Sequence, residues 1–203
     1  MQKITLSLFM FLVFGMALNG QNKTLEMPKI GDSLFFKLLG TNGKYLSLDD
    51  YNEAKGLIII FTCNHCPFAK LYPKRLNALH ESYKKKGVPL IAISSTDSVQ
   101  YEEDDYAHMV NYAKKEKFKF PYLYDKDQSV AKHFKAQKTP HAFVIWRTGA
   151  KWQIAYEGAI DDNGMHANEV QQAFVANAVD ALLAGKMVQN AHTKSVGCQI
   201  YFR

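Results

Sequence analysis

The chain has 203 residues, 25 Lys and Arg against 19 Asp and Glu, a formal net charge of +6, and three cysteines. That length suits one compact domain with its own core, so this is not a small scaffold that needs disulfide staples. The basic residues do not gather into one aromatic-interleaved groove, which argues against nucleic acid as a partner.

Residues 1–20 read as a cleaved export signal. Lys3 gives a positive start, an apolar core runs over 4–18, and the small residues Ala17 and Gly20 offer cleavage points. The apolar run is shorter than the roughly 20 residues that span a bilayer, so no stable membrane insertion is expected after cleavage. The three cysteines then all lie in an exported chain, where disulfides are permitted. Residues 21–29 are expected to be a flexible N-terminus, and 30–203 one domain.

Residues 33–39 and 45–48 flank Gly40-Thr41-Asn42-Gly43, a hairpin signal. Residues 57–61, Leu-Ile-Ile-Ile-Phe, are apolar on both faces, as in a central strand covered on both sides. Phe68, Tyr72, Leu76, Leu79 and Tyr83 recur at helical spacing, with Pro73 expected to kink that helix and Gly87 to end it. A second buried strand is predicted over 88–94 and an acid-started, lysine-ended helix over 102–117. A short strand at 121–124, a short helix at 128–134, strands at 142–147 and 152–158, and a last helix over 168–183 follow. Asp161-Asp162-Asn163-Gly164 reads as a turn into that last helix. Alternation of strands and helices, finishing in an antiparallel hairpin and a helix, makes the class α/β with a mixed central sheet.

Cys63-Asn64-His65-Cys66 sits between the strand at 57–61 and the helical pattern that follows. Two cysteines separated by two residues can close a small disulfide. The thiol at a helix start is favoured as thiolate, the species that attacks disulfides, so Cys63 is expected to be more exposed and more acidic than Cys66. On spacing alone the pair also fits a structural bridge or half of a zinc site. A bridge closing so small a loop stabilises little, and no second CxxC completes a metal site, so no metal is expected. Cys198 is left over: either a buried apolar thiol or a third thiol that accepts the disulfide.

The chain resembles thioredoxin-fold proteins of the redoxin type, the branch that includes the AhpC/TSA peroxiredoxins and TlpA-like exported thiol oxidoreductases. The matching features are CNHCPF at 63–68, Thr139-Pro140-His141-Ala142-Phe143, Ile160-Asp161-Asp162-Asn163, Gly197-Cys198-Gln199-Ile200, and an extra helix and strand between about 102 and 124. The resemblance implies a thioredoxin-like fold with an N-terminal β-hairpin and a redoxin-type helix–strand insertion. It implies Cys63 as nucleophile, Cys66 as resolving thiol, and His65 as a group that stabilises the Cys63 thiolate. Pro140 resembles the cis-proline facing the dithiol, with Thr139 presenting its backbone to an extended substrate and Thr62 preceding the first cysteine. His141 and Cys198 are further candidates.

Two features depart from familiar relatives. No acidic residue lies in the strand before Cys63, so the proton acceptor is unassigned. No Thr stands three residues before either cysteine of the pair, which disfavours peroxidase activity. The expected function is an exported thiol–disulfide oxidoreductase with its own Cys63–Cys66 disulfide and no other cofactor. Its partners are protein or small-molecule thiols and disulfides. The alternatives are a thiol peroxidase or a non-catalytic redox-sensitive binding module. The native protein is expected to start near Gln21 outside the cytoplasm, and mass spectrometry finding residues 1–18 still attached would refute this.

Overall fold

Every residue of the strand Gly56–Phe61 is buried, and alternate residues serve two different cores. Ile58 and Ile60 pack on one face of the sheet; Leu57, Ile59 and Phe61 pack on the other. A period of two on a strand does this automatically, and an unbroken apolar run supplies both faces. The computed structural model describes residues 35–203; the export signal and flexible N-terminus expected over 1–20 and 21–29 lie outside them.

In chain order the strands are β1 (Lys37–Gly40), β2 (Tyr45–Ser47), β3 (Gly56–Phe61), β4 (Leu90–Ser94), β5 (Tyr122–Tyr124), β6 (Lys138–Thr139), β7 (His141–Thr148), β8 (Lys151–Gly158) and β9 (Cys198–Gln199). The α-helices are α1 (Pro73–Tyr83), α2 (Tyr106–Lys115), α3 (Ser129–Phe134) and α4 (Phe174–Leu183). Seven strands form one mixed sheet in the order β2-β1-β5-β4-β3-β7-β8. Strands β3, β4 and β5 run parallel to one another, whereas β7 runs antiparallel to β3 and β8 antiparallel to β7. Leu76 of α1, Met109 of α2 and Val175, Ala178 and Val179 of α4 cover one face; Val130, Ala131 and Phe134 of α3 cover the other. The insertion between β4 and α3 supplies α2 and β5, and β5 joins the sheet between β1 and β4.

Three local expectations need correction. Pro73 does not kink a helix running from Phe68. It opens α1 at the first helical position, where its missing N–H is not needed. Residues Ala69–Leu71 form a separate 3-10 turn, and Phe68 is left 40% exposed. The helix predicted over 102–117 is a 3-10 turn, Glu102–Asp104, followed by α2, because the Asp105 side chain caps the new helix by accepting the His108 amide at 2.8 Å. The last helix starts at Phe174 rather than 168. Residues 171 and 172 bond to Asp162 instead of to helix partners: Gln171 N–H donates to Asp162 Oδ1 at 3.0 Å, and Asp162 N–H to the Gln172 carbonyl at 3.1 Å. Beyond α4 the chain returns to pair β9 against β6.

Candidate active site

Strand β3 delivers the two cysteines. The Thr62 amide continues the β3–β4 ladder by donating to the Ile93 carbonyl at 2.9 Å, and the backbone turns away immediately afterwards. Cys63 and Cys66 lie in this turn, ahead of α1, and both are buried, at 1% and 0% exposure. Both are free thiols in this structure.

Thr139 closes the site from the opposite side. Its hydroxyl lies 3.1 Å from Cys63 Sγ, and its carbonyl accepts from Cys66 Sγ at 3.2 Å. The Thr139–Pro140 peptide bond is cis, as the resemblance implied. The backbone edge expected to receive an extended substrate is taken by the chain itself: Thr139 pairs with Cys198 and Lys138 with Gln199. Gly197 makes this approach possible, since a Cβ there would lie 2.0 Å from the Thr139 carbonyl oxygen. Cys198 consequently packs against the buried cluster that Cys63, Cys66 and Ala69 form.

The group missed in the sequence is Asp104. Its carboxylate is completely buried and accepts hydrogen bonds from the Asn64 amide and from His65 Nδ1. The Asn64 side chain donates to the Glu103 carbonyl at 2.6 Å and accepts from the Tyr122 hydroxyl at 3.0 Å. The His65 ring stacks on Tyr101, with centroids 3.9 Å apart and planes 8° from parallel. Residues 101–104 therefore clamp the CxxC turn from outside the sheet. Donor atoms of Cys63, His65 and Asp104 all lie within 4.8 Å of one another. Asp104 stood in a run of four acids that reads as ordinary helix-start charge; only Asp105 serves that purpose. No periodicity marks which of the four turns inward.

The electrostatics differ from the sequence expectation, which placed the more acidic and more exposed thiol at Cys63. Burial, the hydrogen bond shared with Cys66 and then the Asp104 charge push the Cys63 thiol far up. Cys66 is drawn well below the ordinary thiol range by the Cys63 hydrogen bond, helped by the Cys198 thiol and the Ala69 amide. Ala69 is the first residue of the 3-10 turn. The amide at the start of the helical segment thus stabilises Cys66, because three further residues bring the second cysteine to that end. The cationic help expected from His65 is opposed by a carboxylate that also lies within 4.8 Å of Cys63.

Cys63, His65 and Asp104 also offer sulfur, nitrogen and oxygen donors of the kind a transition metal takes. His65 Nδ1 and both Asp104 oxygens are already engaged with each other and with Asn64, so an ion would have to displace those bonds. His141 is not joined to the dithiol by a hydrogen bond: its Nδ1 accepts the Gln137 amide at 3.2 Å, and its ring lies 4.5 Å from that of Phe143.

Residues 30–151 match the AhpC/TSA family. The chain belongs to that family. It is 29% identical over 114 residues to the thiol-disulfide oxidoreductase ResA of Bacillus thuringiensis subsp. konkukian, a match that covers 56% of this chain and 61% of ResA. The chain thus spans less than two thirds of the length of that relative. An uncharacterized conserved protein of Geobacillus kaustophilus has a similar structure, with a TM-score of 0.79 and 33% identity over 89% of this chain and 94% of that one. The exposed lipoprotein thioredoxin Etrx1 of Streptococcus pneumoniae shares the fold, with a TM-score of 0.56 at 16% identity over 72% of this chain and 99% of that one. This AhpC/TSA chain has a thioredoxin-like fold.

Burial holds His141 down to about 4, while the Glu157 charge pulls weakly the other way. The unfolded chain, with a His pKa of about 6.5, takes up a proton that the folded one refuses. This contribution to stability is complete above the unfolded value, falls as pH drops through it, and levels off below the folded value, a loss of at most about 3 kcal/mol. Denaturant midpoints measured at pH 7.5 and pH 5 should fall further for the wild type than for His141→Gln.

Proposed function

We propose that this protein is a thiol–disulfide oxidoreductase whose redox group is its own Cys63–Cys66 pair, working outside the cytoplasm without a further cofactor. The observation that carries this reading is the pair itself: two buried sulfurs, both bonded to Thr139, with a buried carboxylate within 4.8 Å of Cys63. The similarity to ResA supports it. The signal-like segment at 1–20 supports export, and among the described residues no helix is long and apolar enough to cross a membrane.

The roles follow from where each sulfur sits: Cys63 beside Asp104 and His65, Cys66 at the Ala69 amide. When an incoming thiolate attacks the Cys63 sulfur of the disulfide, the S–S bond breaks and Cys66 leaves as the thiolate. The thiol whose thiolate is better stabilised leaves faster, and the Ala69 amide and the Cys198 thiol stabilise the Cys66 charge. In the opposite direction Cys63 must lose its proton to attack a substrate disulfide. The Asp104–His65 pair within 4.8 Å is the acceptor that the strand before Cys63 lacks. Cys66 then displaces the reduced product from the mixed disulfide. His65 and Asp104 thus serve proton transfer at Cys63, while Thr139 and Pro140 line the opposite side. Substrates are protein or small-molecule thiols and disulfides, together with a redox partner that resets the pair.

Cys63→Ser should abolish exchange with a substrate disulfide, and Cys66→Ser should accumulate a mixed disulfide at Cys63, seen by mass spectrometry under non-reducing conditions. If both variants lose activity and neither traps a substrate, the pair is a structural clip; fast hydrogen peroxide turnover without Cys66 would establish a peroxidase instead. Asp104→Asn should slow attack by Cys63 roughly 10²-fold, the usual scale for loss of a positioned base. Stopped-flow measurement of the first exchange step at pH 7 checks this, with circular dichroism confirming the fold.

A further inference from the structure

Cys63 and Cys66 have almost no solvent exposure, yet exchange with an external partner requires a reachable sulfur. Cys198 is the partly exposed member of the three-thiol cluster. The backbone places it there deliberately. Residue 198 is the register partner of Thr139, the residue that touches both buried sulfurs. The close approach requires a glycine at 197. Beyond it the Ile200 amide donates to the Gln137 carbonyl at 2.9 Å, Gln128 Nε2 donates to the Tyr201 carbonyl at 2.8 Å, and the Arg203 amide donates to Gln128 Oε1 at 2.9 Å. Gln128 is itself completely buried, so the segment is held at a fixed point of the fold. An apolar filler needs no such anchoring, and a cysteine that only fills space need not sit against a second cysteine.

We propose that Cys198 is the third thiol of an internal relay, carrying the disulfide between the buried pair and the surface. The step is a thiol–disulfide exchange. The Cys198 thiolate attacks Cys66 Sγ, the Cys63–Cys66 bond breaks, a Cys66–Cys198 bond forms, and Cys63 leaves as a thiolate. Asp104 and His65 lie beside Cys63 to return its proton. No electrons are gained or lost overall. An external thiolate then attacks the Cys198 sulfur, the Cys66–Cys198 bond breaks, and Cys66 leaves as the thiolate beside the Ala69 amide. Cys66 is the hub because it touches both of the others. The relay rests on the reading of Cys63–Cys66 as redox-active and adds a second route, through the partly exposed Cys198 sulfur, beside direct exchange at Cys63.

The test is disulfide mapping of the full chain after oxidation with diamide, a diazene that is reduced to the hydrazine as two thiols become a disulfide. In Cys63→Ser, acid quenching and non-reducing peptide mapping should find Cys66 linked to Cys198 within one molecule. The wild type should show this link alongside Cys63–Cys66. Oxidised Cys198→Ser should be reduced by glutathione about tenfold more slowly than oxidised wild type, on the view that an exposed sulfur is the one attacked. The relay is overturned if wild type holds only Cys63–Cys66, Cys198 stays open to alkylation in Cys63→Ser, and glutathione reduces both proteins equally fast. That result, with wild-type exchange activity intact, removes the relay alone; a wild type that forms Cys63–Cys66 and exchanges with no substrate removes the oxidoreductase reading as well.

Discussion

The site depends on one buried carboxylate. Asp104 has no solvent exposure, and an ionised carboxylate out of water costs several kcal/mol unless hydrogen bonds replace its hydration. The Asn64 amide and His65 Nδ1 supply them, and both donors belong to the two residues between the cysteines. The need to satisfy Asp104 therefore fixes the conformation of the CxxC turn. Asn64 and Tyr101 add the second layer, through the Glu103 carbonyl, the Tyr122 hydroxyl and the stacked His65 ring. The carboxylate comes from the insertion between β4 and α3. The same insertion adds β5 to the sheet, so one stretch of chain widens the scaffold and braces the thiols.

The scaffold was legible wherever a pattern is dictated by burial on a regular element. Residues 57–61 and 88–94 could only be central strands, and alternate side chains do feed two cores. The CxxC and the Thr-Pro were legible for a different reason: few residue types serve their chemistry. What escaped was decided by contacts between distant segments. Pro73 suits a helix start as well as it breaks a helix interior, and the apolar spacing from Phe68 onward could not tell the two apart. The start of α4 was misplaced because Asp162 competes for the backbone of 171 and 172. Asp104 was the costliest miss. It looked like helix-start charge, and it acquires its meaning only from Asn64 and His65, far away in the chain.

The acidity order of the two cysteines carries a related lesson. A helix start favours thiolate, but the sequence does not say which sulfur its amide reaches. Here the first helical turn begins at Ala69 and serves Cys66, while Cys63 faces Asp104. A pair with one good leaving group and one sulfur beside a proton acceptor is divided by function more sharply than two equivalent thiols would be.

The hydrogen bonds around the reduced thiols also tie redox chemistry to folding. Cys63 and Thr139 meet although 76 positions separate them, so this environment exists only when the sheet is assembled. Cys63 and Cys66, in contrast, are neighbours in any conformation and can join in the unfolded chain as well. Around the cycle of folding and oxidation, whatever the fold contributes to the dithiol over the disulfide must reappear as a difference in stability between the reduced and oxidised proteins. For a two-electron couple about 30 mV corresponds to about 1.4 kcal/mol. Each contact that Thr139, Ala69 and Cys198 make with a thiol is therefore at once a contribution to the reduction potential and a bias on which redox form is the sturdier fold.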